Sequence, residues 1–345
     1  MIRMKAEAVR NLNFTLDGLK KSLQQAVELE HATIPAYLYA LYSLQPGGNL
    51  KIQSLVRSVV LEEMLHMSLA CNVLNAIGGS PVIDQPKFIP TYPGPLPGSV
   101  ESDLIVPLSP FSMDLVCKVF MVIEEPEKPL EFPVIEMEAL AAAPPQVTIG
   151  QFYDGIKKHI IKLGPSIFTG DPKKQLTAGF SDLIKVTDVD SAVAAIDLIV
   201  EQGEGTKTSP MDPEDQPAHF YRYEEIIKGR ELIPNPNPKV GAPPFVYGGK
   251  PIPFDVTKVW PTITNPKTTS YAPGSKAFKA NNTFNYTYTS LLKGLHLVCN
   301  GQPDRIAPAV GLMESLKEQA WYLMSIEVEK GTTAGPSFQY QPVTL

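Results

Sequence analysis

The stretch Leu61-Glu62-Glu63-Met64-Leu65-His66-Met67 puts two metal-ligand side chains three residues apart, where the surrounding pattern calls for apolar ones. Between Lys51 and Gly78 the residues at 52, 56, 59, 63, 66, 70, 73 and 77 are Ile, Val, Val, Glu, His, Ala, Val and Ile, spaced four and three apart as on one face of a helix. Glu63 and His66 are the polar members of that face. One helix earlier, Leu16, Leu19, Leu23, Val27, Glu30, Ile34, Tyr37 and Leu41 form a second stripe with Glu30 in its middle. An ionised carboxylate inside an apolar core is costly unless it is paired or bound to a metal, and neither stripe contains a Lys or Arg. A divalent or trivalent cation would supply the missing charge.

Outward from these stripes the chain reads as helices. Thr15 or Asp17 can cap a first helix reaching about Leu44, and Pro46-Gly47-Gly48 turns it into the second, so the two pack antiparallel. Further helices are expected at 111–123, ended by Glu124-Glu125-Pro126, at 149–163 after a Thr148 cap, at 192–202, at 217–228, and as a closing pair at 282–300 and 304–330. The 34 prolines in 345 residues are about twice the usual share, so the belts around 81–98 and 234–273 should resist regular structure. No repeat and no alternation suited to a large sheet is present, and the fold class is mainly α. The division expected is a metal-binding bundle at 15–230 with inserted loops at 79–147, a proline-rich wrapping segment at 231–280, and a C-terminal helical pair at 281–345 that packs on the bundle.

A net charge of -6, with Lys and Arg dispersed along the chain, argues against nucleic acid or an anionic membrane as partner and for a small molecule. Homo-oligomerisation is left open. Cys71, Cys117 and Cys299 are odd in number and set among apolar neighbours, as buried thiols in a reducing cytoplasm would be. The first residues contain no apolar block of signal-peptide length, and no run reaches the roughly 18 apolar residues of a membrane span.

Carboxylate-bridged two-metal bundles use one inward Glu from each of two helices and a Glu-x-x-His pair from each of the other two. Glu30, Glu63 and His66 supply half of that set. Residues three apart are neighbours on a helix, and oxygen donors with an imidazole suit iron, with manganese as the alternative. For the second half the candidates are Glu201, Glu204 and His219, then Gln151 and Asp154 on the intervening helix; a second Glu-x-x-His is absent, because Gln216 stands three residues before His219. Tyr37, two turns beyond Glu30 on the same stripe, and Tyr223, one turn beyond His219, are candidate radical or hydrogen-bond partners. Arg222 is a candidate to grip a substrate carboxylate, with a plain exposed helix charge as the alternative. His31 points off the stripe and reads as structural or as a support behind the ligands. No dinucleotide fingerprint, P-loop or nucleophile elbow is present.

The segments Glu28-Leu29-Glu30-His31-Ala32-Thr33-Ile34-Pro35-Ala36-Tyr37-Leu38, Glu62-Glu63-Met64-Leu65-His66-Met67, Glu201-Gln202-Gly203-Glu204-Gly205, His219-Phe220-Tyr221-Arg222-Tyr223 and Gly335-Pro336-Ser337-Phe338 resemble the ferritin-like domain of the iminophenyl-pyruvate dimer synthase family. The likeness runs from about 15 to 340. It implies a ferritin-like four-helix bundle with a metal site and redox chemistry. Members of that family act in violacein and indolocarbazole assembly, coupling two imines derived from an aromatic 2-oxo acid. The expectation is an iron-dependent oxidoreductase, with one or two ions, using O2 or peroxide on a small, aromatic amino-acid- or 2-oxo-acid-derived metabolite. The alternatives are an iron-handling or peroxide-scavenging protein and a non-catalytic metal-binding bundle.

Overall fold

Thr15 starts helix α1, Leu16–Ser43, by accepting a 3.1 Å hydrogen bond from Gly18 N through its Oγ1, which satisfies one of the free donors of the first turn. A computed structural model describes residues 3–4, 15–98, 104–126, 147–206, 209–236 and 243–342. After a short turn, helix α2, Leu50–Ala76, runs back antiparallel: Glu30 meets His66 while Thr33, further along α1, meets Glu63. The apolar stripes read from the sequence face the interior. Leu19, Leu23, Val27, Val56, Val59 and Val73 are all fully buried.

Two more helices close the bundle. Helix α4, Ile149–Leu163, begins with a capping box in which Thr148 Oγ1 accepts from Gln151 N at 3.0 Å and Gln151 Oε1 accepts from Thr148 N at 3.2 Å. Helix α5, Val189–Glu204, has the same device from Asp188 and Ser191. In cross-section α1 packs on α2, α2 on α5, α5 on α4, and α4 on α1. Helix α3 is a composite, Met113–Leu115, then a π-helical turn Val116–Phe120, then Met121–Ile123, and helix α6, His219–Lys228, packs on that turn and on α2 and α5.

The closing pair is α7, Lys276–Val298, and α8, Ile306–Met324, which pack together, with α8 lying on α1. Both differ from the sequence expectation. Ser275 caps α7 earlier than read, its Oγ accepting from Phe278 N at 3.1 Å, and α8 stops at Met324, where the chain turns into the strand Glu327–Glu329. The described sheet content is three two-stranded ribbons: Arg3–Met4 with Val147–Thr148, Arg230–Pro234 with Phe245–Pro251, and Glu327–Glu329 with Thr332–Thr333. The second lies in the belt expected to lack regular structure; Val246 and Tyr247 pair with Ile233 and Leu232 before the prolines resume. Tyr92 Oη donates to the Ala32 carbonyl at 2.5 Å and ties the first proline belt to α1. Cys71 and Cys299 are buried, but Cys117, expected inside, is exposed. No described helix is long and apolar enough to cross a membrane.

Candidate metal centre

Five buried side chains from four elements converge between α1, α2, α3 and α6. Glu30 comes from α1, Glu63 and His66 from α2, Glu124 from the end of α3 and His219 from the first turn of α6, and none is more than 8% exposed. They form two triads, Glu30–Glu63–His66 and Glu63–Glu124–His219, and within each the three ligand atoms lie within 4.8 Å of one another. Glu63 belongs to both. Its Oε1 faces both imidazoles, and a carboxylate shared by two ligand sets is what would join the two seats of a two-metal centre.

The rings are oriented for ligation. His66 directs Nδ1 toward Glu30 Oε2 (3.4 Å) and Glu63 Oε1 (4.0 Å), while its Nε2–H donates to Gln202 Oε1 at 2.9 Å. His219 directs Nδ1 toward Glu63 Oε1 (2.9 Å) and Glu124 Oε2 (3.4 Å), while its Nε2–H donates to Glu62 Oε2 at 3.0 Å. With Nε2 donating in each case, loss of the Nδ1 proton would leave each ring with its Nδ1 lone pair on the carboxylate side, the tautomer a metal requires. The 2.9 Å approach of His219 Nδ1 to Glu63 lacks hydrogen-bond alignment, so this buried nitrogen has no hydrogen-bond partner. Two donors aimed at a common third point produce that geometry. The residues therefore fit a metal, and the buried Glu/His cluster is able to hold one.

Electrostatics point the same way. Burial, with Glu124 and Glu30 beside it, pushes the Glu63 carboxyl up to about 7 against the pull of His219. Burial alone would lower both imidazoles. Glu124, Glu62 and Glu63 nevertheless hold His219 well above its ordinary value, and Glu30 and Glu63 raise His66. Crowded in this way, Glu63 retains its proton or requires a cation. Among the described residues, the guanidinium beside the centre is committed elsewhere. Arg222 is 3% exposed and donates to Glu62 Oε1 (2.6 Å), Asp212 Oδ2 (3.1 Å), Ser58 Oγ (3.0 Å) and the Pro217 carbonyl. Despite the cost of burial, His219 and Arg222 hold Glu62 down to about 2, so it is an ionised acceptor behind His219.

Hydroxyls fix the carboxylates. Thr33 Oγ1 donates to Glu63 Oε2 at 2.8 Å, Tyr153 Oη to Glu30 Oε1, and Tyr37 Oη to Glu124 Oε1. Burial and the adjacent carboxylates push both phenols well above their ordinary range and keep them as donors. Tyr223 lies edge-on to Tyr37 at 5.6 Å.

A cavity of about 50 Å³ adjoins the first triad, lined by Glu30, Thr33, Glu63, His66, Glu124 and Tyr153, with half-buried Ile149, Gly203 and Glu204 on its outer side. It has room for ions, water or a diatomic molecule.

The structure thus brings together Glu30, Glu63, His66 and His219, with Glu204 at the cavity wall. It leaves Glu201 out. The inward face of α5 carries Ala192, Ala195, Ile196, Ile199 and Gln202, and Glu201, one step round the helix from Gln202, lies near Asp197, Lys157 and Glu214. Arg222, expected to meet a substrate, is enclosed by protein acceptors. Gln151 is used in the α4 cap, and Asp154 pairs with Lys158 at 2.5 Å on the surface. His31 packs away from the centre, its Nε2 sharing a 2.9 Å hydrogen bond with Tyr288 Oη.

Glu124 was missed because the sequence presents it as a helix terminator before Pro126. A π turn adds a residue to the helix and rotates the residues beyond it by about 100°, so a stripe extrapolated at ordinary periodicity does not reach it. An acidic residue closing an apolar helix was the available signal. Gln202, as an amide behind His66, carried none.

Comparison with known proteins agrees with the fold. A family model described as ferritin-like matches residues 23–228. Dichlorochromopyrrolate synthase of Lentzea aerocolonigenes is 24% identical over 94% of this chain and 36% of its own, so this chain spans about a third of that relative's length. The crystal structure of a ferritin-like protein from Caulobacter vibrioides superposes with a TM-score of 0.61 at 24% identity, covering 95% of this chain and 99% of that one.

Proposed function

Because this chain belongs to the ferritin-like family, and because Glu63 is shared by two buried carboxylate–histidine triads, we propose that it is an iron-dependent oxidoreductase with a two-metal centre. Its substrate in this reading is a small, aromatic amino-acid- or 2-oxo-acid-derived metabolite, oxidised with O2 or peroxide. The shared carboxylate carries the proposal. A purely structural site has no need of a second ion or of an open side, since structural sites tend to be closed. The substrate class is carried over from the resemblance of the quoted sequence segments to the iminophenyl-pyruvate dimer synthase family.

Iron, when bound, supplies the electrons that reduce the oxidant. This chain's residues do the rest. Glu30, Glu63, His66, Glu124 and His219 hold the ions; Gln202 and Glu62 keep the ring protons on Nε2; Tyr37, Tyr153 and Thr33 steady the carboxylates by donating to them. Burial of all five ligands excludes bulk water from the reacting region. The cavity beside the first triad is too small for an aromatic metabolite, so the organic partner meets the centre at the outer wall formed by Ile149, Gly203 and Glu204.

The test is iron content after anaerobic loading with Fe(II), followed by oxygen uptake with candidate aromatic amino and 2-oxo acids. Two ions per chain, reduced by Glu63→Ala to less than half, and uptake that depends on the organic compound are expected. Failure of the wild-type protein to retain a redox metal removes the proposal. Rapid uptake with Fe(II) alone, unaffected by every organic compound, would assign the centre to iron handling.

A further inference from the structure

A second cavity lies on the opposite face of the α1–α2 pair. Glu30, Thr33 and Tyr37 face the metal centre, whereas Ile34, Leu38 and Leu41 face this space, which has a volume of about 580 Å³. That is within the roughly 300–1,000 Å³ of small-molecule sites. It is long rather than round: its α1 wall runs from His31 to Tyr42, roughly 16 Å of helix at about 1.5 Å per residue. α7 and α8 form the other side.

Polarity is sorted along that length. Because α1 and α2 are antiparallel, the Tyr42 end of the groove faces Gln53 and Arg57, and α8 brings Glu314 and Lys317 to it. At the far end Cys299, whose carbonyl accepts from Asn75 Nδ2 at 2.7 Å, and Ile306 stand with Leu176 and Phe180, all without charge. Among the described residues neither Arg57 nor Lys317 is in an ion pair, and two cations against one carboxylate leave the polar end net positive. Leu50, Leu61 and Val310, at 67%, 45% and 46% exposure among the most exposed large apolar residues described, all line this groove. Solvent-facing apolar surface concentrated at one cavity marks a binding site. The walls include Met64, Met67 and Met313, whose flexible thioethers adapt to an irregular or bending chain.

From this layout we infer that the groove binds a free long-chain carboxylic acid, with the acyl chain along the Leu- and Met-rich trough toward Phe180 and the carboxylate at Arg57 and Lys317. An elongated space with one uncharged end and one cationic end matches that ligand in length, polarity and charge. It matches a compact aromatic acid poorly, since such a molecule leaves most of the trough unfilled. The site is separate from the metal centre and does not depend on the function proposed for it.

The experiment is displacement of a fluorescent anthroyloxy fatty acid from the full-length protein, with Trp321 emission as a second readout. Palmitate should displace the probe, hexanoate and phenylacetate should do so at least a hundredfold less well, and hexadecanol should bind at least tenfold more weakly than palmitate. The double variant Arg57→Glu/Lys317→Glu should weaken palmitate at least tenfold and leave hexadecanol unchanged. Val310→Trp, at an exposed wall position, should abolish both; melting curves establish that each variant folds. Absence of palmitate binding, equal competition by phenylacetate, or unchanged affinity in the charge-reversed variant would overturn the inference. So would sedimentation with anionic phosphatidylglycerol vesicles that survives Val310→Trp, because the exposed residues would then be a membrane-facing surface.

Discussion

Replacing Glu63 by Gln should make the metal-free protein more stable while abolishing metal binding. In the folded apo protein the Glu63 carboxyl titrates at about 7, against about 4.5 ordinarily. A folded-state value above the unfolded one means that the native state holds the proton more tightly between those limits. Stability is therefore greatest at low pH and is lost as pH rises through the window from 4.5 to 7. At 1.36 kcal/mol per unit, the ionised carboxylate costs the fold about 3 kcal/mol at about pH 8 and about 1 kcal/mol at about pH 5.5. Gln keeps the shape and never ionises, so Glu63→Gln should gain those amounts over wild type, and the gain should vanish below about pH 4.5. Urea unfolding of chelator-treated protein at three pH values measures the difference. Fe(II) or Co(II) should then raise the midpoint of the wild type and leave the variant unmoved. A destabilised apo variant at about pH 8, or a gain independent of pH, would refute the account of Glu63 as a carboxylate crowded by its own kind.

Around the centre, Tyr153→Phe removes the donor to Glu30 and should weaken Co(II) binding roughly tenfold by titration, with little change in apo stability. Arg222→Met leaves Asp212 and Glu62 without their cation and should cost about 3 kcal/mol in urea unfolding. Glu201→Ala, off the inward face of α5, should retain full metal content and stay within about 0.5 kcal/mol of wild type. Metal binding at about pH 7 should release protons, because Glu63 and both imidazoles give theirs up; calorimetry in buffers of different ionisation enthalpy should show this, with apparent affinity falling as pH is lowered.

The α1–α2 half of the centre was legible because two long helices kept strict periodicity, so a Glu or His on the apolar stripe had one direction to point. The ferritin-like likeness carried by Glu28–Leu38 and Glu62–Met67 agrees with the family match at 23–228. The other half obeyed no such rule. Glu124 comes after a π turn, His219 opens a short helix after a loop, and neither is part of a periodic face. Glu201 misled because α5 is apolar on several sides, which leaves its inward phase ambiguous until Gln202 is seen against His66. Arg222 misled because an exposed-looking helix charge can be drawn inside by Asp212 and Glu62, far away in sequence for the latter.

The two triads differ in how far the chain must travel to build them. Glu30, Glu63 and His66 come from one helical hairpin, whereas the second set joins residues 63, 124 and 219. Local closure is entropically cheaper than distant closure, so the hairpin seat can exist while the nascent or partly unfolded chain still lacks the other. An ion captured there early would act as a folding clamp for α1 and α2. Order of loading would then track order of assembly, with the seat completed by α6 filled last and emptied first.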